Sequence, residues 1–143
     1  MIRHLFRRAV FAAGIALVAI TSAIAADNSG KARVIFQVSD ADPAKWNLAL
    51  NNIKNVQGDL GAANTEIELV AYGPGIGMLK ADATIANRVI DAMAAGVKVV
   101  ACENTMTNQK MKRDEMIDKI GYVKAGVVEL MQKQREGWAY IRP

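Results

Sequence analysis

The sequence predicts an α/β fold in which a mainly parallel sheet lies between layers of helices. Three observations carry this. Short, nearly continuous apolar runs rich in branched residues occur at 34–38, 67–72 and 97–101, as expected for strands covered on both faces. Between them, apolar residues recur at helical spacing, as in Trp46, Ala49, Leu50, Ile53, Val56 and Leu60. Strand and helix patterns alternate, which calls for βαβ units and parallel pairing.

The elements follow in order. Residues 26–30 form a short polar leader to strand one, Val34-Ile35-Phe36-Gln37-Val38. Asp42 is placed to cap the first helix, and Pro43 fits its first position because a missing N–H costs nothing there. That helix is expected to stop near Gly58 or Gly61. Strand two covers 67–72 and is followed by a glycine-rich loop, Gly73-Pro74-Gly75-Ile76-Gly77. Ile85, Val89, Ile90 and Met93 give the inner stripe of a second helix, with Gly96 as its stop. Strand three is Val97-Lys98-Val99-Val100-Ala101, with Cys102 at its carboxyl end. The polar stretch 103–120, carrying Met106, Met111, Met116 and Ile117, is expected to hold one or two short helices. Gly121-Tyr122-Val123 reads as a short fourth strand, and a helix follows from near Ala125 to Gly137. Trp138-Ala139-Tyr140-Ile141 is the last strand; alternation puts Trp138 and Tyr140 on one face, either to cover the sheet or to line a subunit interface.

Residues 1–25 have the order of a secretory signal: Arg3, His4, Arg7 and Arg8, then an uncharged apolar core from 9 to 20, then Ala23-Ile24-Ala25 as a cleavage site. The core is short for a membrane span, which takes roughly 20 residues, and polar Asp27-Asn28-Ser29-Gly30 follows at once. The expected domain is therefore 26–143, exported to the periplasm and free of the membrane once the signal is removed. Of the 18 basic residues, Arg3, Arg7 and Arg8 leave with the signal, so 15 face 14 acidic ones. A nearly neutral domain gives no electrostatic argument for a nucleic-acid partner.

In open parallel sheets ligands bind beyond the carboxyl ends of the strands. Residues 39–42, 73–78 and 102–107 fall there. Cys102 is the sole soft nucleophile, and a helix start behind it would favour its thiolate. Glu103 opposes this; Lys110, Lys112 and Arg113 are the cations available to offset it. The one histidine, His4, lies in the signal, so a Cys-His protease is excluded from the domain, and a single cysteine excludes a dithiol oxidoreductase. A lone thiol can still carry sulfur as a persulfide. The competing reading is a buried, inert cysteine that packs as a small hydrophobe. The glycine run is not G-x-G-x-x-G and is followed by no G-K-[ST], so it reads as a tight turn packed against Cys102, with a binding turn as the alternative. Met106 and Met111 near Cys102 form a thioether-thiolate set of the Cu(I) kind, against which core filling is the simpler account. The acidic residues lack metal-ligand spacing, and neither a metal nor a cofactor is predicted.

Three segments, VKVVACENTM at 97–106, YGPGIG at 72–77 and AGVVELMQKQREGWAYIRP at 125–143, resemble the DsrE/DsrF-like proteins, especially the small stand-alone branch, over nearly all of 31–143. The resemblance implies a three-layer α/β/α sandwich with a mainly parallel five-stranded sheet, and assembly into trimers or hexamers. In sulfur-relay members the cysteine matching Cys102 accepts sulfur as a persulfide and passes it to a partner protein, so sulfur donors and acceptors are the implied partners. Asn104 and Thr105 match polar residues that follow that cysteine, and with Gly73, Gly75 and Gly77 they complete the candidate site. The relay members act in the cytoplasm, whereas this chain carries an export signal. The alternative function is a non-catalytic oligomeric module that binds a small ligand and keeps Cys102 as a structural residue.

Overall fold

The computed structural model describes residues 30–143, so the expected signal and its expected cleavage site lie outside the described residues. Five strands, β1 (Ala32–Val38), β2 (Thr65–Ala71), β3 (Lys98–Cys102), β4 (Gly121–Val123) and β5 (Ala139–Ile141), form one sheet in the order β4-β3-β2-β1-β5. Every pairing is parallel. The α-helices are α1 (Pro43–Leu60), α2 (Ala86–Ala94), α3 (Glu103–Asn108) and α4 (Gly126–Arg135).

Local chemistry sets the ends of α1. Asp42 accepts the Ala44 N–H at 2.8 Å, Pro43 takes the first turn, and Gly61 ends the helix at φ +85°, where a side chain would be strained. Gly61 rather than Gly58 is therefore the stop. The expected glycine loop is a run of 3-10 turns over Gly73–Leu79, with Gly75, Ile76, Met78 and Leu79 buried. The region 103–120 holds α3 and a single 3-10 turn, Arg113–Glu115.

Topology divides the helices between the two faces. From β1 to β4 the chain steps across the sheet in one direction, so right-handed crossovers put α1, α2 and the 103–120 connection on one face. From β4 it returns to lie beside β1, which puts α4 on the other. The core follows suit. The larger cluster includes Phe36, Leu50, Ile53, Leu69, Val89 and Val99, and Met106 lies within it with Met111 packed against it. The two methionines thus fill the core. The smaller cluster, under α4, is Ile35, Val70, Val100, Leu130 and Trp138. Trp138 covers the sheet just ahead of β5, while Tyr140, in register with Ile35 on the same face, is 42% exposed and donates its hydroxyl to Gln37 Oε1.

Candidate functional site

Cys102 ends β3 and is in register with Val123, which ends β4. From there the chain leaves in opposite directions: after β3 it turns to the α1/α2 side, after β4 to the α4 side. Two adjacent parallel strands whose onward connections diverge open a crevice at their carboxyl ends, and this is where α/β sheets place ligands. Alternation along β3 puts Cys102 on the same face as Val100, toward α4.

The thiol makes a long contact of 3.9 Å with the Lys124 carbonyl. Burial pushes the Cys102 thiol up, but the Thr105 hydroxyl and the N–H groups of Gly126, Thr105 and Asn104 outweigh burial and hold it below the ordinary cysteine value. Thr105 is itself buried, and its hydroxyl oxygen accepts the Gly73 N–H at 2.9 Å, which leaves the hydroxyl proton free to donate to the sulfur. Asn104 has an exposed side chain, and its N–H reaches the Lys124 carbonyl at 3.1 Å. Gln109 donates to the Gly73 carbonyl at 3.1 Å and ties the same loop to α3.

The candidate residues therefore separate. Cys102, Thr105 and Gly73 come together directly, and Asn104 contributes its backbone. Gly75 and Gly77 face elsewhere. A Cβ on Gly75 would stand 2.5 Å from the Val38 carbonyl oxygen, so the glycine lets the 73–79 turns cross the end of β1. Gly77 lies against the Trp46 ring, 3.4 Å from where its Cβ would be. Glu103 is matched by Arg113, at 2.5 Å, and the Arg113 guanidinium also stacks on Tyr122 at 4.1 Å from the ring centre. Neutral donors, rather than Lys110 or Lys112, set the thiol's environment.

Gly126 is the contributor that sequence reasoning passed over. It opens α4, and a Cβ there would lie 3.1 Å from the Tyr72 side chain, so glycine eases the close start of the helix beside the end of β2, from where its N–H favours the Cys102 thiolate. The available signal was a glycine three residues beyond a strand end that faces a second strand end carrying the only thiol. Cys102 is 5% exposed. A cleft of about 210 Å³ lies between β4 and α4, lined by Val123, Lys124, Ala125, Val128, Glu129 and Gln132, and Cys102 does not line it.

Fold and site together define a parallel α/β protein with a single thiol at a switch of strand connections. The profile of the DsrE/DsrF-like family matches residues 31–143, and the chain belongs to that family. Membership points to a role related to sulfur relay. A protein of unknown function from Methanobacterium thermoautotrophicum is 34% identical and superimposes with a TM-score of 0.74, over 78% of this chain and 98% of its own. A conserved protein of unknown function from Bacteroides thetaiotaomicron (10% identity, TM-score 0.64, 78% and 95% covered) and the ychN protein from E. coli (13%, 0.59, 80% and 99%) share the fold. No curated protein matches the chain.

Proposed function

We propose that this protein is a periplasmic sulfur carrier that holds sulfane sulfur as a persulfide on Cys102. The observation that carries the reading is the position of one thiol at the carboxyl end of β3, where the Thr105 hydroxyl and nearby backbone N–H groups hold it below the ordinary cysteine value. They favour the thiolate, which is the attacking form. The same donors suit a terminal persulfide sulfur, which is also anionic.

The chemistry balances without a redox partner. The Cys102 thiolate attacks the sulfane sulfur of thiosulfate, the S–S bond of the donor breaks, and sulfite leaves with the bonding pair; the product is Cys102–S–S⁻. With a persulfide donor the leaving group is the donor's thiolate. An acceptor thiolate then attacks the outer sulfur, and Cys102 leaves as thiolate. Donor and acceptor proteins in this scheme are periplasmic, in keeping with the expected secretory signal at 1–25. Self-association into trimers or hexamers completes the proposal. It is supported by Val127, Val128 and Met131, which are 49%, 45% and 60% exposed on the outer side of α4.

One observation favours a second reading. With only 5% of Cys102 exposed, the thiol fits a structural role in a ligand-binding module. Incubating the protein with thiosulfate or polysulfide and weighing it intact separates the two. The carrier gains one sulfur, and Cys102→Ser gains none. No gain from any donor leaves the binding module.

A further inference from the structure

We infer that Lys124 sets the class of sulfur donor: its ammonium is the unmatched charge at the β3/β4 crevice and directs anionic donors, of which thiosulfate is a simple case, to Cys102. The inference deepens the carrier reading and rests on it for the identity of the substrate, though not for the closing experiment. Lys124 directly follows β4. Its carbonyl meets the Cys102 thiol at 3.9 Å and accepts the Asn104 N–H at 3.1 Å, which sets its backbone against the sulfur. Its side chain is exposed and lines the cleft of about 210 Å³ between β4 and α4. Val123, in register with Cys102, lines the same cleft. The cleft stops short of the sulfur, but two of its walls are the thiol's own neighbours. A lysine on a flexible four-carbon stem can follow an anion from the cleft toward that thiol.

Charge balance decides what an incoming molecule meets. Glu103, which follows Cys102 in the chain, is held by Arg113 at 2.5 Å. Glu129, the carboxylate that lines the cleft, lies 3.9 Å from Lys98 and 4.0 Å from Lys133. Those two lysines also meet the buried Glu68, at 3.0 and 3.9 Å, so two ammonium groups balance two carboxylates. Glu136 reaches Lys133 at 3.6 Å, from the far end of α4. Lys124 is in no such pair: among the described residues no carboxylate oxygen comes within 4.0 Å of its Nζ. A cleft with one unmatched sign of charge and apolar walls, here Val123 and Val128, focuses the field and raises the local concentration of the opposite ion. The chemistry needs that help. A thiolate and a thiosulfate dianion repel one another, and an adjacent cation offsets the repulsion as they meet.

Alkylation of Cys102 by iodoacetate, an anion, and by iodoacetamide, its neutral analogue, tests this at low ionic strength. Both reagents consume the same thiolate, so the ratio of their rates cancels any change in ionisation and reads only the charge the reagent meets. The iodoacetate-to-iodoacetamide ratio is expected to be about 3- to 10-fold higher in the folded protein than in the same chain in urea. Lys124→Gln should remove most of that gain, Lys124→Arg should keep it, and salt at about 1 M should suppress it. The position is exposed, so far-UV circular dichroism should be unchanged in both variants. A ratio that is the same in Lys124→Gln and wild type overturns the inference, and a folded thiol that neither reagent reaches overturns it together with the carrier reading. Sulfur uptake from thiosulfate should slow in Lys124→Gln by the same factor as the ratio. Absence of uptake in the wild type removes the carrier reading and leaves the alkylation result standing. Normal uptake with an unmoved ratio removes the role of Lys124 alone.

Discussion

The Gly73 amide donates to the Thr105 hydroxyl oxygen at 2.9 Å, and the same hydroxyl favours the Cys102 thiolate. The chain of donors runs from the end of β2 through α3 to the end of β3, so two strand ends share one side-chain relay.

Thr105→Val keeps the shape of the side chain and removes the relay. A hydrogen bond to a charged group is worth about 1.5–3 kcal/mol, so the thiol midpoint should rise by about one pH unit or more. The native thiolate is favoured relative to the unfolded chain. Its contribution to stability is present above the unfolded thiol's value and is lost as pH falls through the native one. Thr105→Val should flatten that dependence. It should also cost about 1–3 kcal/mol at every pH, because the Gly73 N–H is left unpaired. Alkylation kinetics and urea denaturation at several pH values check both effects.

Gly75→Ala should weaken folding and leave the chemistry alone. The added methyl would meet the Val38 backbone at 2.5 Å, and relieving that contact costs about 1–3 kcal/mol or more. Sulfur uptake per folded molecule should match the wild type. A selective loss of uptake with unchanged thermal stability would instead make the glycine run a ligand contact.

Met131→Glu tests the proposed assembly. The side chain is 60% exposed in the isolated chain, so a carboxylate there is tolerated by the monomer and opposed at an apolar interface. Light scattering should show wild-type trimers or hexamers reduced to monomers, with unchanged circular dichroism. An unaltered mass would place the interface elsewhere.

Burial raises the Glu68 carboxyl above the ordinary glutamate value, with Lys98 pulling it down and Glu129 pushing it up. The sign follows. A raised native value contributes stability that is fully present below the unfolded value and is lost as pH climbs through the native one, at about 1.4 kcal/mol for each unit between the two. Wild type should therefore lose ground to Glu68→Gln as pH rises from about 4. Parallel melting curves over that range would remove Glu68 as the source.

Much of the fold was legible because local chemistry decides it. The apolar runs of β1, β2 and β3 and the Asp42-Pro43 start of α1 need no tertiary information. Two features resisted. The 3-10 turns of Gly73–Leu79 exist because Ile76, Met78 and Leu79 plug the larger core, which a string of glycines does not announce. The position of β5 beside β1 is a long-range choice, and it alone brings α4 to the face of the thiol. The site divides the same way. Cys102 at a strand end could be read directly. The approach of Gly126 to the end of β2 depends on a crossover between strands at opposite edges of the sheet.

β4 and β5, the two outermost strands, are three residues long. Each offers too brief a row of free amides and carbonyls to recruit a further strand, so chains have little means of zipping together rim to rim. Association is left to the broad sides of the molecule. There it can bury the outer surface of the lone helix without extending the sheet into a fibre.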